Sequence, residues 1–231
     1  METVYRTNPG LPGLKLRLAQ LYGAVGRVTE GIARAKEVAA SEPKSAAAHL
    51  VLAAFEMQKG DLGPAIDTLN TAARLDPNSA AAQFGLGNAY ERKGEFASAL
   101  AAYRRAITLG PKDSVPYNNI AWLYATQGKN LDEALALAQK ALELSPNDGG
   151  ILDTLGFVYY RRGEYPKAEP VLKRAAELTA NNATILYHLG MTYYKLGRRD
   201  DAASALRRSL QLQETIPAAA EIRALLAELR K

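Results

Sequence analysis

The chain has 231 residues, 48% hydrophobic and 23% charged, with 29 Lys and Arg against 24 Asp and Glu for a net charge of +5. No apolar run approaches the ~20 residues that a membrane-spanning helix requires, and the absence of cysteine excludes disulfides, zinc–thiolate sites, iron–sulfur clusters and cysteine nucleophiles. The mild basic excess raises nucleic acid or an anionic surface as a partner without selecting either.

From the N-terminus, Met1 to Gly10 has no basic region followed by an apolar one, so no signal-peptide pattern is visible. Pro9 then begins a regular beat. Pro9, Pro43, Pro77 and Pro111 stand 34 residues apart, and Pro146 follows after one inserted residue. Gly26, Gly60, Gly94, Gly128, Gly163 and Gly197 keep the same period half a unit away. Two breakers alternating through each period predict two helices per unit with a turn after each. Pro9 holds the closing position of a preceding unit, so residues 1–11 read as a remnant, and the chain is expected to be part of a longer array.

Six units then follow, over 12–45, 46–79, 80–113, 114–148, 149–182 and 183–216. On each first helix a large aliphatic (Leu18, Leu52, Leu86, Ile120, Leu155, Leu189) is followed at once by a small residue (Ala19, Ala53, Gly87, Ala121, Gly156, Gly190). Four residues before each glycine stands tyrosine (Tyr22, Tyr90, Tyr124, Tyr159, Tyr193), replaced once by Glu56. This trio occupies one helical stripe. The second helices have Ala65, Ala99, Ala134, Ala168 and Ala202 at one point, with Gly31 in the first unit, and small residues or Val38 seven positions later. Such residues let two backbones approach closely. The extra residue of the fourth unit falls in the turn Lys129–Asn130–Leu131, and Pro170 is expected to kink a second helix. Last comes one amphipathic helix over 217–231, with Ile222, Leu225, Leu226 and Leu229 opposite Glu221, Arg223, Glu228 and Arg230, suited to capping the array.

In this form the chain resembles the tetratricopeptide repeat. The unit Ala80–Asp113 shows Leu86, Gly87, Tyr90, Ala99, Tyr103, Ala106 and Pro111 at the family's spacings, and the likeness covers about nine-tenths of the chain. Ala180 and Glu214 stand where the family has proline. The resemblance implies an all-α, right-handed solenoid of six helix–turn–helix repeats with a C-terminal capping helix. It also implies a protein-interaction scaffold whose first helices line a concave groove, with no enzymatic activity and no cofactor. The wording of NIAWLYA (119–125) and ILDTLGFVYY (151–160) is similar to bacterial members, among them those of exopolysaccharide-export and exosortase-associated loci. The compartment stays open between bacterial cytoplasm and periplasm.

A second stripe on each first helix, at i, i+4 and i+7, is expected to face the groove. It reads Leu16, Gln20, Gly23; Leu50, Ala54, Met57; Phe84, Asn88, Glu91; Asn118, Trp122, Ala125; Asp153, Phe157, Tyr160; Tyr187, Met191, Tyr194. Solvent-facing aromatics have no folding role, so the cluster from Trp122 to Tyr194 marks a contact surface. The candidate partner-binding residues are Phe84, Asn88, Asn118, Trp122, Asp153, Phe157, Tyr160, Tyr187, Met191 and Tyr194. The family's carboxylate clamp of Lys and Arg is absent, since its positions hold Leu50, Phe84, Asn118 and Asp153. Asparagines here suit peptide backbone, because an amide both donates and accepts.

Basic pairs such as Arg161–Arg162 and Arg207–Arg208 are interrupted by acids and form no nucleic-acid track. The two histidines, His49 and His188, are too far apart in the array to share a metal or a catalytic site. The partner is therefore expected to be a protein or peptide, with no nucleic acid, no metal and no transmembrane segment, and the open N-terminal edge offers a route to self-association. Two readings remain: an interaction scaffold within a larger bacterial protein or assembly, or the targeting domain of an enzyme whose catalytic part is missing from this sequence.

Overall fold

The computed structural model describes residues 13–229. The 1–11 remnant, Pro12, and Arg230 and Lys231 of the expected last helix lie outside the described residues. The remainder is thirteen helices with no strand among the described residues. They group into two compact units, one ending at Pro111 and the other starting at Lys112. The N-terminal unit holds α1 (Leu14–Ala24), α2 (Val28–Ser41), α3 (Ala46–Lys59), α4 (Leu62–Leu75), α5 (Ala80–Lys93) and α6 (Phe96–Leu109). The C-terminal unit holds α7 (Ser114–Gln127), α8 (Leu131–Leu144), α9 (Gly149–Arg161), α10 (Tyr165–Leu178), α11 (Ala183–Lys195), α12 (Arg199–Leu212) and α13 (Ala219–Leu229).

Local chemistry sets these boundaries. Ser45, Ser79, Asp113, Asp148 and Asn182 precede first helices α3, α5, α7, α9 and α11, and each side chain accepts a bond from a first-turn N–H. Each first helix ends one or two residues before a glycine of the periodic set, whose φ lies between +66° and +90°. There the residue after the glycine donates its N–H back to the carbonyl five residues earlier. Glu95 N bonds Tyr90 O and Arg198 N bonds Tyr193 O, both at 2.9 Å. This left-handed cap leaves two helices antiparallel, and only glycine adopts it without strain. The inserted residue of the fourth unit is absorbed in the same way, with Asn130 at φ 47° and ψ 41° ahead of α8. At the far end of the second helices, Glu42, Asp76, Gly110 and Ser145 leave helical geometry before their prolines. Pro170 is exposed, and α10 continues through it as a single helix.

Small residues set the helix–helix spacing. A Cβ on Gly87 would lie 2.4 Å from the Tyr103 ring, one on Gly156 2.5 Å from Leu172, and one on Gly190 2.7 Å from Leu206. In each case a side chain of the second helix fills the space above a first-helix glycine, and Tyr103, Leu172 and Leu206 are fully buried. The first repeat reverses this arrangement. Gly31, on the second helix α2, lies under the ring of Phe55 from α3, where a Cβ would meet Phe55 Cζ at 2.3 Å. Gly31, which stands where the other second helices have alanine, is thus the seat of an inter-repeat ring. At the other end Ile222 of α13 is buried with Ile216, Leu206 and Ala219. Ala220, Arg223, Ala224 and Ala227 on α13 are exposed.

Candidate functional site

In the C-terminal unit the first helices α7, α9 and α11 lie side by side, α9 touching both of the others. Residues one repeat apart on the second stripe therefore become lateral neighbours. Trp122 of α7 meets Phe157 of α9 with ring centroids 5.2 Å apart. Phe157 in turn stacks on His188 of α11 at 4.5 Å, with 21° between the planes. Tyr187 and Trp122 flank the imidazole at 5.4 and 5.9 Å. Tyr160 continues the row, parallel to Phe157 at 6.2 Å and tilted against Tyr165 at 5.4 Å. These separations suit offset and tilted ring pairs. Trp122, Phe157, Tyr160, Tyr187 and Tyr194 all keep part of their surface open to solvent.

Beneath the rings lies a polar brace. Asp153 Oδ1 is 2.8 Å from His188 Nδ1, and both side chains are nearly enclosed. A carboxylate only accepts, so Nδ1–H is the donor and the ring orientation is fixed. Two predicted contact residues, Asp153 and Met191, are buried, at 8% and 7% exposure. Asp153 faces inward because His188 binds it there. The side-chain oxygen of Asn118, on α7, is buried and has no hydrogen-bond partner among the described residues.

Two of the predicted contacts, Tyr187 and Tyr194, meet α13. Tyr187 Oη donates to Glu221 Oε2, and Tyr194 Oη donates to Glu228 Oε1, both at 2.8 Å and both across 34 residues. One repeat length separates each pair, so α13 takes the place of a further first helix beside α11. Burial, reinforced by the bond to Glu221, pushes the Tyr187 phenol far above its ordinary range. The bond to Glu228 raises that of Tyr194. Both remain protonated donors. Arg199 also reaches the carbonyls of Glu228 and Leu229.

In the N-terminal unit Phe84 and Asn88 both meet the buried Tyr103. The Phe84 and Tyr103 rings lie 5.9 Å apart. The Tyr103 hydroxyl is 2.7 Å from Asn88 Oδ1 and 2.6 Å from Glu91 Oε2. Burial raises the Glu91 carboxyl above its usual range, and the Tyr103 hydrogen bond opposes this. The same face bears two open apolar hollows. One lies between α1 and α3, with Gln20, Gly23, Val51 and Phe55 in its wall, and holds about 330 Å³. The other lies between α3 and α5, with Met57, Leu69, Ala81 and Gly85, and holds about 390 Å³. Leu50 and Ala54 border both.

His188 is the chain neighbour of the stripe residue Tyr187 and no member of the stripe itself, and the hollows had no signal beyond the small side chains at Gly23, Ala54, Ala81 and Gly85. Among the described residues no cluster of His, Asp and Glu is arranged to hold a metal ion, and no helix is long and apolar enough to cross a membrane.

Tetratricopeptide repeat family models match residues 16–80 and 64–114, 116–148 and 150–215. No curated protein sequence matches the chain. Among solved structures it is similar to the Cut9–Hcn1 hetero-tetramer of the APC/C, with a TM-score of 0.80 and 22% identity over 98% of this chain. The chain spans only 44% of the length of that relative. PilF of Pseudomonas aeruginosa aligns with a TM-score of 0.77 and 21% identity over 91% of this chain and 95% of that one. YrrB, a tetratricopeptide protein with an unusual peptide-binding site, aligns at 0.62 and 20% identity over 82% of this chain and 97% of that one. At these identities the likeness speaks for fold. Taken with the periodic caps and close-packed helix pairs, the matching family models identify this all-α chain as a member of the tetratricopeptide repeat family, a family of protein-interaction modules.

Proposed function

We propose that the chain is a non-catalytic scaffold of six repeats over 12–216, followed by α13 as a cap. In this reading it binds a protein or peptide segment on the first-helix face of its C-terminal unit. Trp122, Phe157 and Tyr160 are the anchors, with Tyr187, Tyr194 and Asn118 at the margins. Asp153 and Met191 support the face from below.

The observation that favours this reading is the continuous row of partly exposed rings across α7, α9 and α11. Large rings held in place offer contact area while losing little conformational freedom on binding. The Asp153–His188 bond holds the ring that Phe157 stacks upon. The peptide-binding site reported for YrrB gives a precedent on the same fold.

A photo-crosslinking amino acid tests the assignment. Placed at Tyr160 it should capture one discrete partner, and placed at the exposed Lys173 of α10 it should not. Equal capture from both positions contradicts the reading.

A further inference from the structure

We propose that the first-helix face of the N-terminal unit is a separate binding surface, fitted to an uncharged polyproline-II segment with two apolar side chains three residues apart. It stands on observations independent of the C-terminal rings.

The middle position of the second stripe is Trp122 and Phe157 in α7 and α9, where rings fill the space between neighbouring first helices. In α1, α3 and α5 the same position is Gln20, Ala54 and Asn88. Nothing large projects there, and the two hollows open. Gly23 and Gly85 deepen them. Each is small because a core side chain comes up against it, Phe55 Cε1 at 2.9 Å and Leu69 Cδ2 at 2.7 Å from the place of a Cβ. The hollows hold about 330 and 390 Å³, within the range of ordinary ligand sites.

Three features select the occupant. No Asp, Glu, Lys or Arg lines either hollow, so a charged side chain would be desolvated there without a partner. The hollows adjoin across α3, sharing Leu50 and Ala54, and packed helices stand about 8–10 Å apart. A polyproline-II chain returns a side chain to the same face every three residues, about 9.3 Å along its axis. Finally, such a chain has no internal hydrogen bonds, so its peptide groups are free to bond the site. The amides of Gln20 and Gln58 border the first hollow and supply both donor and acceptor. A helix, whose peptide groups are already bonded within itself, has no need of them.

The full chain is titrated calorimetrically with acetyl-Ala-Pro-Leu-Pro-Pro-Leu-Pro-amide. The expected result is saturable binding, weakened at least tenfold by Ala54→Phe, whose ring would fill the border shared by both hollows. Ala54 is exposed, and thermal unfolding checks that the variant folds. The paired change Gln20→Ala/Gln58→Ala should weaken binding at least threefold without touching the core, whereas Trp122→Ala should change it less than twofold. Absence of saturation at millimolar peptide, unchanged affinity in Ala54→Phe, or preference for a helical peptide with leucines seven apart would each overturn the proposal. Loss of binding in Trp122→Ala would do so too, since it would place the peptide on the rings.

Discussion

Asp153 and His188 stand 35 residues apart in sequence and 2.8 Å apart in space, joining α9 to α11 under a lid of aromatic rings. The pair is one of several lateral bonds between neighbouring repeats. Arg92 reaches the Met57 carbonyl and Arg161 the Thr126 carbonyl, each also across 35 residues. Of these, the Asp153–His188 bond is the buried one, so its loss should cost most. Asp153→Ala leaves a buried N–H unpaired and should lower unfolding free energy by about 2 kcal/mol or more. Asp153→Asn keeps an acceptor and should stay within about 1 kcal/mol. Urea denaturation compares the two. Trp122 is the single tryptophan and its ring contacts His188, so its emission should shift in Asp153→Ala.

Gly31→Ala inverts the usual expectation. In an open helix this change stabilises by about 1 kcal/mol. Here the new methyl would sit 2.3 Å from the Phe55 ring, which is buried and cannot swing clear. A net loss of about 1–3 kcal/mol should follow. Combining it with Phe55→Leu should leave the pair less destabilised than the sum of the single changes, a coupling that a double-mutant cycle measures.

Glu91 gives a pH dependence with a defined sign. Its carboxyl is raised in the folded state, chiefly by burial. The fold therefore holds that proton more tightly than the unfolded chain does. The stability it contributes is full below the unfolded carboxyl value and is lost as pH rises through the folded one. Glu91→Gln retains an acceptor for the Tyr103 hydroxyl and does not ionise. Its stability relative to the native chain should thus improve from pH 4 to pH 7, as followed by denaturation at both. A difference that stays constant with pH would contradict the role of burial.

Tyr187→Phe should loosen α13 without unfolding the array. It removes the bond to Glu221 while keeping the ring. Amide exchange in α13 should accelerate by an amount matching about 0.5–1.5 kcal/mol, while exchange in α9 stays unchanged.

Much of this architecture was legible in the sequence because it is written in backbone constraints. The glycines repeat because the residue after each must bond back over a left-handed turn, and the prolines because they stop a second helix. Small residues at Gly87, Gly156 and Gly190 announced close packing. Their occupants, Tyr103, Leu172 and Leu206, required knowing which second-helix residue lies opposite. The second stripe was legible as a row of residues, but not as to which of them face solvent. Asp153 and Met191 turn inward, a consequence of lateral pairing that one helix's periodicity does not contain. For the same reason the bonds of Tyr187 and Tyr194 to α13 were not legible in the stripe.

The proposed ring face is tested most directly by the affinity of the partner captured at position 160 for the native chain and for Trp122→Ala, with circular dichroism showing that both are folded. If Trp122 is an anchor, its removal should weaken binding by about 2 kcal/mol, roughly 30-fold. Equal affinities would show that the aromatic row across α7, α9 and α11 serves packing and not recognition.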